Sequence, residues 1–463
     1  MGWQGKRVLV VGAARQGLAL ARYLATEGAS VVLNDQAAGE VLSDARRALA
    51  DHQIEWVAGG HPLEVLQGVD LVCPSGGVPL DLPLIREAQN RGVPLSNDSQ
   101  IFLDAAPCQV IGITGSAGKS TTTALIGSIL SQVYPDTAKG APKVWVGGNI
   151  GNPLITDLQW MGTDDLCVVE LSSFQLELMT RSPDVAVVLN VTPNHLDRHE
   201  SMDAYMGAKR RILDYQSTSD VAVLGRDDAG AWSFRNAVVG ELVVFGFERP
   251  PEGFSGSFIK DGMLVTHAGN RMEQVMQVAR IPVRGRHNVL NALAASAVAL
   301  ALDVPVEEIR AGIESFAGMP HRLEHIRSWR GAEWYNDSIA TAPERTIAAL
   351  QTFDPPIILL AGGRDKNLPW EGAGSEICRR VRQLIAFGEA ASLVIEAVEN
   401  ASSGDTKVAI ARCDSLRDAT REAARLAEPG DTVLLAPGGT SFDEFKDFEE
   451  RGEKFKQWVN ELS

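Results

Sequence analysis

No apolar run in this sequence is long enough to cross a membrane. The longest, Ala292 to Leu302, is broken by Ser296 and falls well short of the roughly 20 residues a span needs. The N-terminal segment lacks the form of a secretion signal, because Arg15 follows closely on the apolar run from Val8 to Val11 and no small-residue cleavage site follows. Cysteine is scarce: Cys73, Cys108, Cys167, Cys378 and Cys413 form neither a C-x-x-C pair nor a zinc spacing. This excludes a disulfide framework and predicts reduced, mostly buried thiols in a reducing compartment. Positive charge is in deficit, with 43 basic against 59 acidic residues and a net charge of −16, which argues against nucleic acid as the main partner. Low-complexity tracts and short repeats are missing too. The expectation is a cytoplasmic, globular monomer with neither a membrane nor a nucleic-acid partner.

What is present is ordinary globular composition, 45% apolar and 22% charged, over 463 residues, too many for one core. Short β runs alternate with helical stretches, which predicts an α/β protein built on parallel sheets. In the first part the runs are Arg7 to Val11, Ser30 to Leu33 and Asp70 to Val72, with a helix from Leu18 to Glu27. A turn-rich patch, Pro94 to Asp98, precedes a second part with strands at Val110 to Ile113, Leu166 to Val169, Val185 to Val191 and Val221 to Leu224. Residues 232–285 read as short strands and turns, an antiparallel appendage, and Asn288 to Leu302 as an alanine-rich helix. A third part starts near Gly318, with strands at Ile357 to Leu360, Leu384 to Ala386, Val408 to Ile410 and Thr432 to Leu435. Three domains are expected, spanning 1–97, 98–318 and 319–463.

The most specific segment is Thr114-Gly115-Ser116-Ala117-Gly118-Lys119-Ser120-Thr121, between a strand and a helix. Such glycines let successive backbone N–H groups converge on phosphate oxygens at a helix N-terminus. Lys119 would reach the β/γ-phosphates and the Ser120 hydroxyl would ligate Mg²⁺. Ile113 stands where a full nucleotide-binding motif of this type has its first glycine. Glu170, at the end of the strand from Leu166, is either a carboxylate for the metal or an ordinary strand-end acid. His195 follows another strand that leaves the sheet on the same edge. Near the N-terminus, Gly12-Ala-Ala14-Arg15-Gln16-Gly17 departs from the dinucleotide fingerprint at Ala14, where that fingerprint wants a second glycine. Asp35, after the second strand, would bind a ribose or a base, or would hold a turn.

These residues resemble the Mur ligase family over nearly the whole chain. The similarity runs in order through Thr114 to Thr121, Gly147-Gly-Asn149-Ile-Gly151, Glu170 to Glu177, Asn190 to Asp197 and Ala208 to Ile212. It continues through Gly285 to Asn288 with Asn291, Met319 to Glu324, Asn336 to Thr341, Gly362 to Lys366 and Ser441 to Lys446. The resemblance implies an N-terminal Rossmann-like domain for the UDP end of a precursor, a central P-loop-type ATP-binding domain and a C-terminal Rossmann-like domain for the amino acid. It implies an ATP-dependent amide-bond ligase of peptidoglycan precursor synthesis that joins UDP-N-acetylmuramoyl-L-alanine to D-glutamate. Alternatives are the same ligation with L-glutamate, or a sibling Mur or folylpolyglutamate-type ligase.

By the same resemblance, Gly115, Ser116, Gly118, Lys119, Ser120 and Thr121 cradle ATP, and Ser120, Glu170, His195 and Lys209 serve two Mg²⁺ ions. Lys209 would carry a carbamate derived from CO₂, although Lys209-Arg-Arg alone reads as a surface lysine in a basic helix. Asn149 would lie near the acyl phosphate. Asn288, Asn291, His321, Arg322 and Asp337 match nucleotide-side positions, with Arg322 on the γ-phosphate. Arg15, Gln16 and Asp35 are assigned to the precursor, and Thr341, Lys366, Ser441 and Phe448 to glutamate. One departure stands out: Ile339 lies where the family pattern has lysine, so either Arg364 supplies the lost charge or the amino acid is held differently.

Overall fold

The computed structural model describes residues 2–135, 141–149, 153–194, 198–283, 285–366, 368–402 and 408–462. They form two compact units, Met1–Ile281 with Arg286–Phe316, and Pro282–Gly285 with Ala317–Ser463. No described helix is long and apolar enough to cross a membrane.

The first unit holds two sheets. The smaller comprises β1 (Arg7–Val11), β2 (Ser30–Asp35), β3 (Ile54–Ala58) and β4 (Leu71–Pro74), in the order β3-β2-β1-β4, all parallel. The larger comprises β5 (Gln109–Thr114), β6 (Val144–Gly148), β7 (Leu166–Glu170), β8 (Val185–Val188), β9 (Val221–Gly225), β10 (Glu241–Phe245), β11 (Ser255–Lys260), β12 (Met263–Ala268) and β13 (Arg271–Gln277). Its order is β13-β12-β11-β10-β9-β8-β5-β7-β6. The expected antiparallel appendage is corrected here: β10 and β11 continue the parallel sheet, and only β12 runs against its neighbours, β11 and β13. Gly256 on β11 makes this extension feasible, because a Cβ there would run into the Val244 carbonyl oxygen on β10. The helix Arg286–Ala301 covers this region and is buried without interruption from Asn291 to Ala299, which suits its nearly all-apolar sequence.

The second unit has one sheet: β14 (Glu324–Trp329), β15 (Ala332–Asn336), β16 (Ile357–Gly362), β17 (Val381–Phe387), β18 (Ala409–Cys413) and β19 (Thr432–Gly438), ordered β14-β15-β19-β16-β17-β18. It is parallel except for the β14–β15 hairpin, whose two-residue turn puts Arg330 (φ 50°) and Gly331 (φ 79°) in the left-handed region. Positive φ at both central residues matches the twist of a two-residue hairpin.

The five thiols are free, but only Cys73 and Cys167 are buried; Cys108, Cys378 and Cys413 are partly exposed, two of them beside strand ends. Between the two sheets of the first unit, Asn97 caps the helix Asp98–Ala105 and donates from Nδ2 to the Gln175 carbonyl (2.7 Å). Asp98 beside it is buried, with Oδ1 lacking a partner and Oδ2 accepting from Gln175 Nε2 at 3.4 Å. Burial pushes its carboxyl up to about 6, against the opposing pull of these hydrogen bonds. A folded pKa above the unfolded one means that stability falls as pH rises from the unfolded value near 4 towards 6, and stays lower above that. The Asp98→Asn variant should therefore exceed wild type in stability above pH 6, by about 3 kcal/mol at most, and converge with it near pH 4. Urea unfolding of both proteins across this range checks it; a pH-independent difference would contradict the assignment.

Candidate active site

Parallel pairing of β5 with β7 sets Ile113 opposite Glu170, so the loop after Thr114 and the Glu170 carboxylate share one sheet edge. The helix Lys119–Val133 begins there, with Gly118 as its N-cap at φ 85°. Any side chain at Gly118 would also collide with Asn291 Oδ1, so both the turn and the packing demand glycine. Asn291 accepts from Thr122 Oγ1 (3.3 Å) and donates to Asn288 Oδ1 (3.0 Å). The loop is fixed from the other side by Asn190, whose Oδ1 accepts from Ala117 N–H (2.8 Å) and whose Nδ2 donates to Ala117 O (3.0 Å). Ser116 Oγ donates to Thr192 O (2.8 Å) and lies 3.0 Å from the Tyr205 hydroxyl.

Two lysine amines meet at this loop. Lys119 Nζ donates to the Gly115 carbonyl at 3.0 Å, and Lys209 Nζ donates to the same oxygen at 2.9 Å. Lys209 lies on the helix Met202–Asp214, over the Tyr205 ring (4.7 Å), and is 1% exposed. The expectation from Lys-Arg-Arg alone, a surface lysine, is thereby corrected: 209 falls on the inner face with Tyr205, Ala208 and Ile212, while Arg210 points outward. Burial, followed by the Lys119 charge, pushes its pKa down to about 7, with Glu170 pulling the other way.

Glu170 is 2% exposed; its Oε1 accepts from Asn149 Nδ2 at 3.2 Å, and its Oε2 has no partner among the described residues. A buried carboxylate oxygen without a donor among the described residues fits a cation, and Ser120 lies buried in the first turn of the helix on the same edge. His195 lies outside the described residues.

At the smaller sheet, Arg15 is exposed in the first turn of the helix Arg15–Thr26, and Gln16 Nε2 is buried without a partner. Asp35 accepts from Ala13 N–H (2.7 Å) and Ala37 N–H (2.8 Å), so it holds the turn. A cleft of about 700 Å³ runs between the two sheets, lined among others by Ser75, Arg86, Asn97, Phe174, Arg198 and His199.

In the second unit, His321 (φ 62°) and Leu323 (φ 45°) flank Arg322 in a tight turn, closed by Leu323 N–H donating to Asp337 Oδ1 (3.1 Å). Burial raises the Asp337 carboxyl to about 6. Lys366 Nζ donates to Thr341 Oγ1 at 3.2 Å, and burial with the charges of Arg345 and Arg451 lowers its pKa. An anion at Lys366 would relieve that repulsion. Ser441 is buried, and Phe448 starts the last helix, edge-on to His321, with Asp447 as the cap. Arg364 is engaged by Glu389 through two hydrogen bonds of 2.8 and 3.0 Å. The segment beside Ile339 is held instead by Arg451, which is fully buried and donates to Ser338 Oγ (3.0 Å), Ser338 O (2.8 Å), Gly439 O (3.1 Å) and Thr440 O (2.9 Å).

Comparisons with known proteins place the chain in a family. Models described as Mur ligase MurD-like N-terminal domain, Mur ligase middle domain and Mur ligase glutamate ligase domain match residues 6–97, 113–299 and 321–439. A UDP-N-acetylmuramoylalanine–D-glutamate ligase of Symbiobacterium thermophilum is 39% identical over 458 residues, covering 99% of this chain and 98% of that protein. The chain belongs to the Mur ligase family. An enzyme of the same name from Acetivibrio thermocellus is 37% identical, with 99% and 97% covered. Among solved Mur ligases, MurF of Acinetobacter baumannii superposes with a TM-score of 0.59 at 19% identity, covering 97% of this chain and 93% of that one. MurC of Thermotoga maritima gives 0.57 at 17%, covering 98% and 99%, and both likenesses speak to the fold alone.

Tyr205, Asn190 and Arg451 are positioning residues of this Mur ligase that the sequence reading did not single out. Tyr205 lay one helical turn before Lys209, an i,i+4 relation that was available as a signal. Replacing Lys119 with alanine should lower kcat by at least ~10² while leaving the fold intact, since its amine serves the loop and its ligand. Steady-state kinetics beside a thermal melt checks this; full turnover in a folded variant would reject the role.

Proposed function

We propose that this Mur ligase adds D-glutamate to UDP-N-acetylmuramoyl-L-alanine at the expense of ATP, in peptidoglycan precursor synthesis. One observation supports the reaction class: two lysine amines converge on the Gly115 carbonyl beside a buried carboxylate with an oxygen that has no partner among the described residues. The substrates follow from the family and the names of relatives that match end to end.

A carboxylate is a poor acyl donor. Its oxygen first attacks the γ-phosphorus, ADP leaves, and the acyl phosphate is attacked at carbon by the glutamate amine. Phosphate departs with that oxygen, and the amine loses a proton. Bringing two anions together requires neutralisation and positioning above all. Lys119 and the loop N–H groups take the β/γ-phosphates, and Arg322 takes γ-phosphate charge. Asn288, Asn291, His321 and Asp337 serve the nucleotide. Asn149, its amide oriented by Glu170, faces the acyl phosphate. Lys366, Thr341, Ser441 and Phe448 hold glutamate, and Arg15, Gln16 and Asp35 hold or shape the UDP end. In this reading residues 1–97, 98–318 and 319–463 carry precursor, ATP and amino acid respectively. Ser120, Glu170, His195 and Lys209 would hold Mg²⁺, which when bound supplies charge neutralisation at the phosphates.

Lys209 is assigned a carbamate. Its burial against Lys119 favours the uncharged amine, the form that adds to CO₂, and the product is an anion beside the Glu170 site.

The ligase reading is tested by ADP release: turnover should require UDP-N-acetylmuramoyl-L-alanine and D-glutamate together, and turnover with either alone, or with neither, would sink it. For the carbamate, Lys209→Ala should lose activity by at least ~10² and regain part of it with short carboxylic acids that fill the vacancy. Absence of any rescue, together with an unmodified lysine mass in active wild type, would reject the modification.

A further inference from the structure

A buried amide at the end of β15 decides which nitrogen of His321 carries a hydrogen. Asn336 is wholly buried, and its Oδ1 accepts from Ser338 N–H at 3.1 Å. Its Nδ2 lies 3.2 Å from the Gly452 carbonyl oxygen, 3.1 Å from Glu324 Oε2 and 3.0 Å from His321 Nδ1. Only one orientation of the amide suits these neighbours. Turned over, it would set its oxygen against a carbonyl and a carboxylate, which accept, and its NH₂ group against the Ser338 N–H, which donates. The NH₂ group therefore faces Nδ1, where a hydrogen on the ring would point at another donor. The neutral ring is thus held with a lone pair on Nδ1 and its hydrogen on Nε2.

Glu324 does not compete with Asn336 for the ring. Its Oε2 stands 3.8 Å from Nδ1, beyond hydrogen-bond reach, and accepts from the His321 backbone N–H (2.9 Å) as well as from Asn336. Its Oε1 pairs with Lys456 at 2.6 Å. The ring itself is closely set. A Cβ at position 452 would sit 2.2 Å from Nδ1, so glycine is required there, and the Phe448 ring stands edge-on with centroids 6.4 Å apart. Among the described residues Nε2 makes no hydrogen bond. We propose that Asn336 is a positioning residue that fixes His321 as the Nε2–H tautomer, so that His321 offers an N–H donor to the nucleotide. The ring then gives a hydrogen bond to a phosphate or ribose oxygen and does not act as a base at Nε2. This inference rests on the reading that His321 serves the nucleotide.

The test combines nitrogen-15 NMR of the histidine rings in the full chain, at alkaline pH, with steady-state kinetics; His321→Gln assigns the signal. In wild type His321 should show Nδ1 as a lone-pair nitrogen and Nε2 as an N–H nitrogen. A non-hydrolysable ATP analogue should shift the Nε2 signal and keep the tautomer. Asn336→Asp, whose side-chain oxygens only accept, should put the hydrogen on Nδ1. It should raise KM for ATP by roughly 10-fold, with KM for D-glutamate and for the precursor little changed. A hydrogen on Nδ1 in wild type, or a lone-pair Nδ1 that persists in Asn336→Asp, overturns the inference. A second pair of variants tests the donor without touching Asn336. His321→Gln keeps an N–H near the Nε2 position and should hold KM for ATP within about 3-fold, whereas His321→Met, of similar size without an N–H, should raise it roughly 10-fold. A raised and equal KM in these two variants overturns the donor role, even if Asn336→Asp does not fold. If the wild-type tautomer is as stated but the ATP analogue leaves His321 unshifted and both variants keep the wild-type KM, the nucleotide-side reading of His321 fails, and this inference with it. The ligase reading then still stands or falls on ADP release.

Discussion

Two lysine amines sharing one carbonyl oxygen is an arrangement that a protein interior does not favour by itself. Lys119 and Lys209 both donate to Gly115 O, and Lys209 does so from almost complete burial. A charge on that amine would cost several kcal/mol unless something compensated it, which is why burial beside Lys119 lowers its pKa. The compensation includes a carbonyl, the Thr114 hydroxyl at 3.4 Å, the face of the Tyr205 ring and the nearby Glu170 charge. A site built this way is poised for added negative charge, and phosphates, a carboxylate substrate and a carbamate are all anions.

Much of the first unit serves to hold that point in place. Adjacent parallel strands β5 and β7 deliver the loop and Glu170 to one edge, where open α/β sheets bind their ligands. Helix 286–301 is apolar enough to lie against the sheet, yet presents Asn288 and Asn291 at the loop, where Asn291 occupies the space denied to a side chain at Gly118. Tyr205 spans from Ser116 to Lys209, so the loop and the helix that carries the second amine are joined by one ring. The second unit repeats the principle with arginine: Arg451 gives its hydrogens to four backbone and hydroxyl oxygens and braces the segment that leads to Thr341.

How far the sequence could be read depended on burial. Strands β1, β5, β7 and β16 were legible because they are buried, near-continuous apolar runs. Strand β3, with only partial burial, and the edge strand β6, ending in two glycines, carry no such run and went unseen. The β14–β15 hairpin was missed because its strands mix charged and aromatic residues around an Arg-Gly turn. In the site, the phosphate loop was legible from glycine spacing alone. Lys209 was not, since a one-dimensional string does not say which way a helix faces. Asp35 was left between ligand and turn, and its carboxylate accepts two backbone hydrogen bonds that hold the turn. Arg364 was named as the replacement for a missing lysine on charge alone; its pairing with Glu389 depends on a strand end 25 residues away.

The central claim is that this concentration of cationic and hydrogen-bonding groups serves to turn a carboxylate into an acyl phosphate. An isotope experiment addresses it most directly. The L-alanyl carboxylate of the precursor is labelled with ¹⁸O, turnover is run with ATP and D-glutamate, and the released phosphate is examined by mass spectrometry. The account predicts one ¹⁸O atom transferred to each phosphate formed. Phosphate free of label, with amide product accumulating, would contradict it.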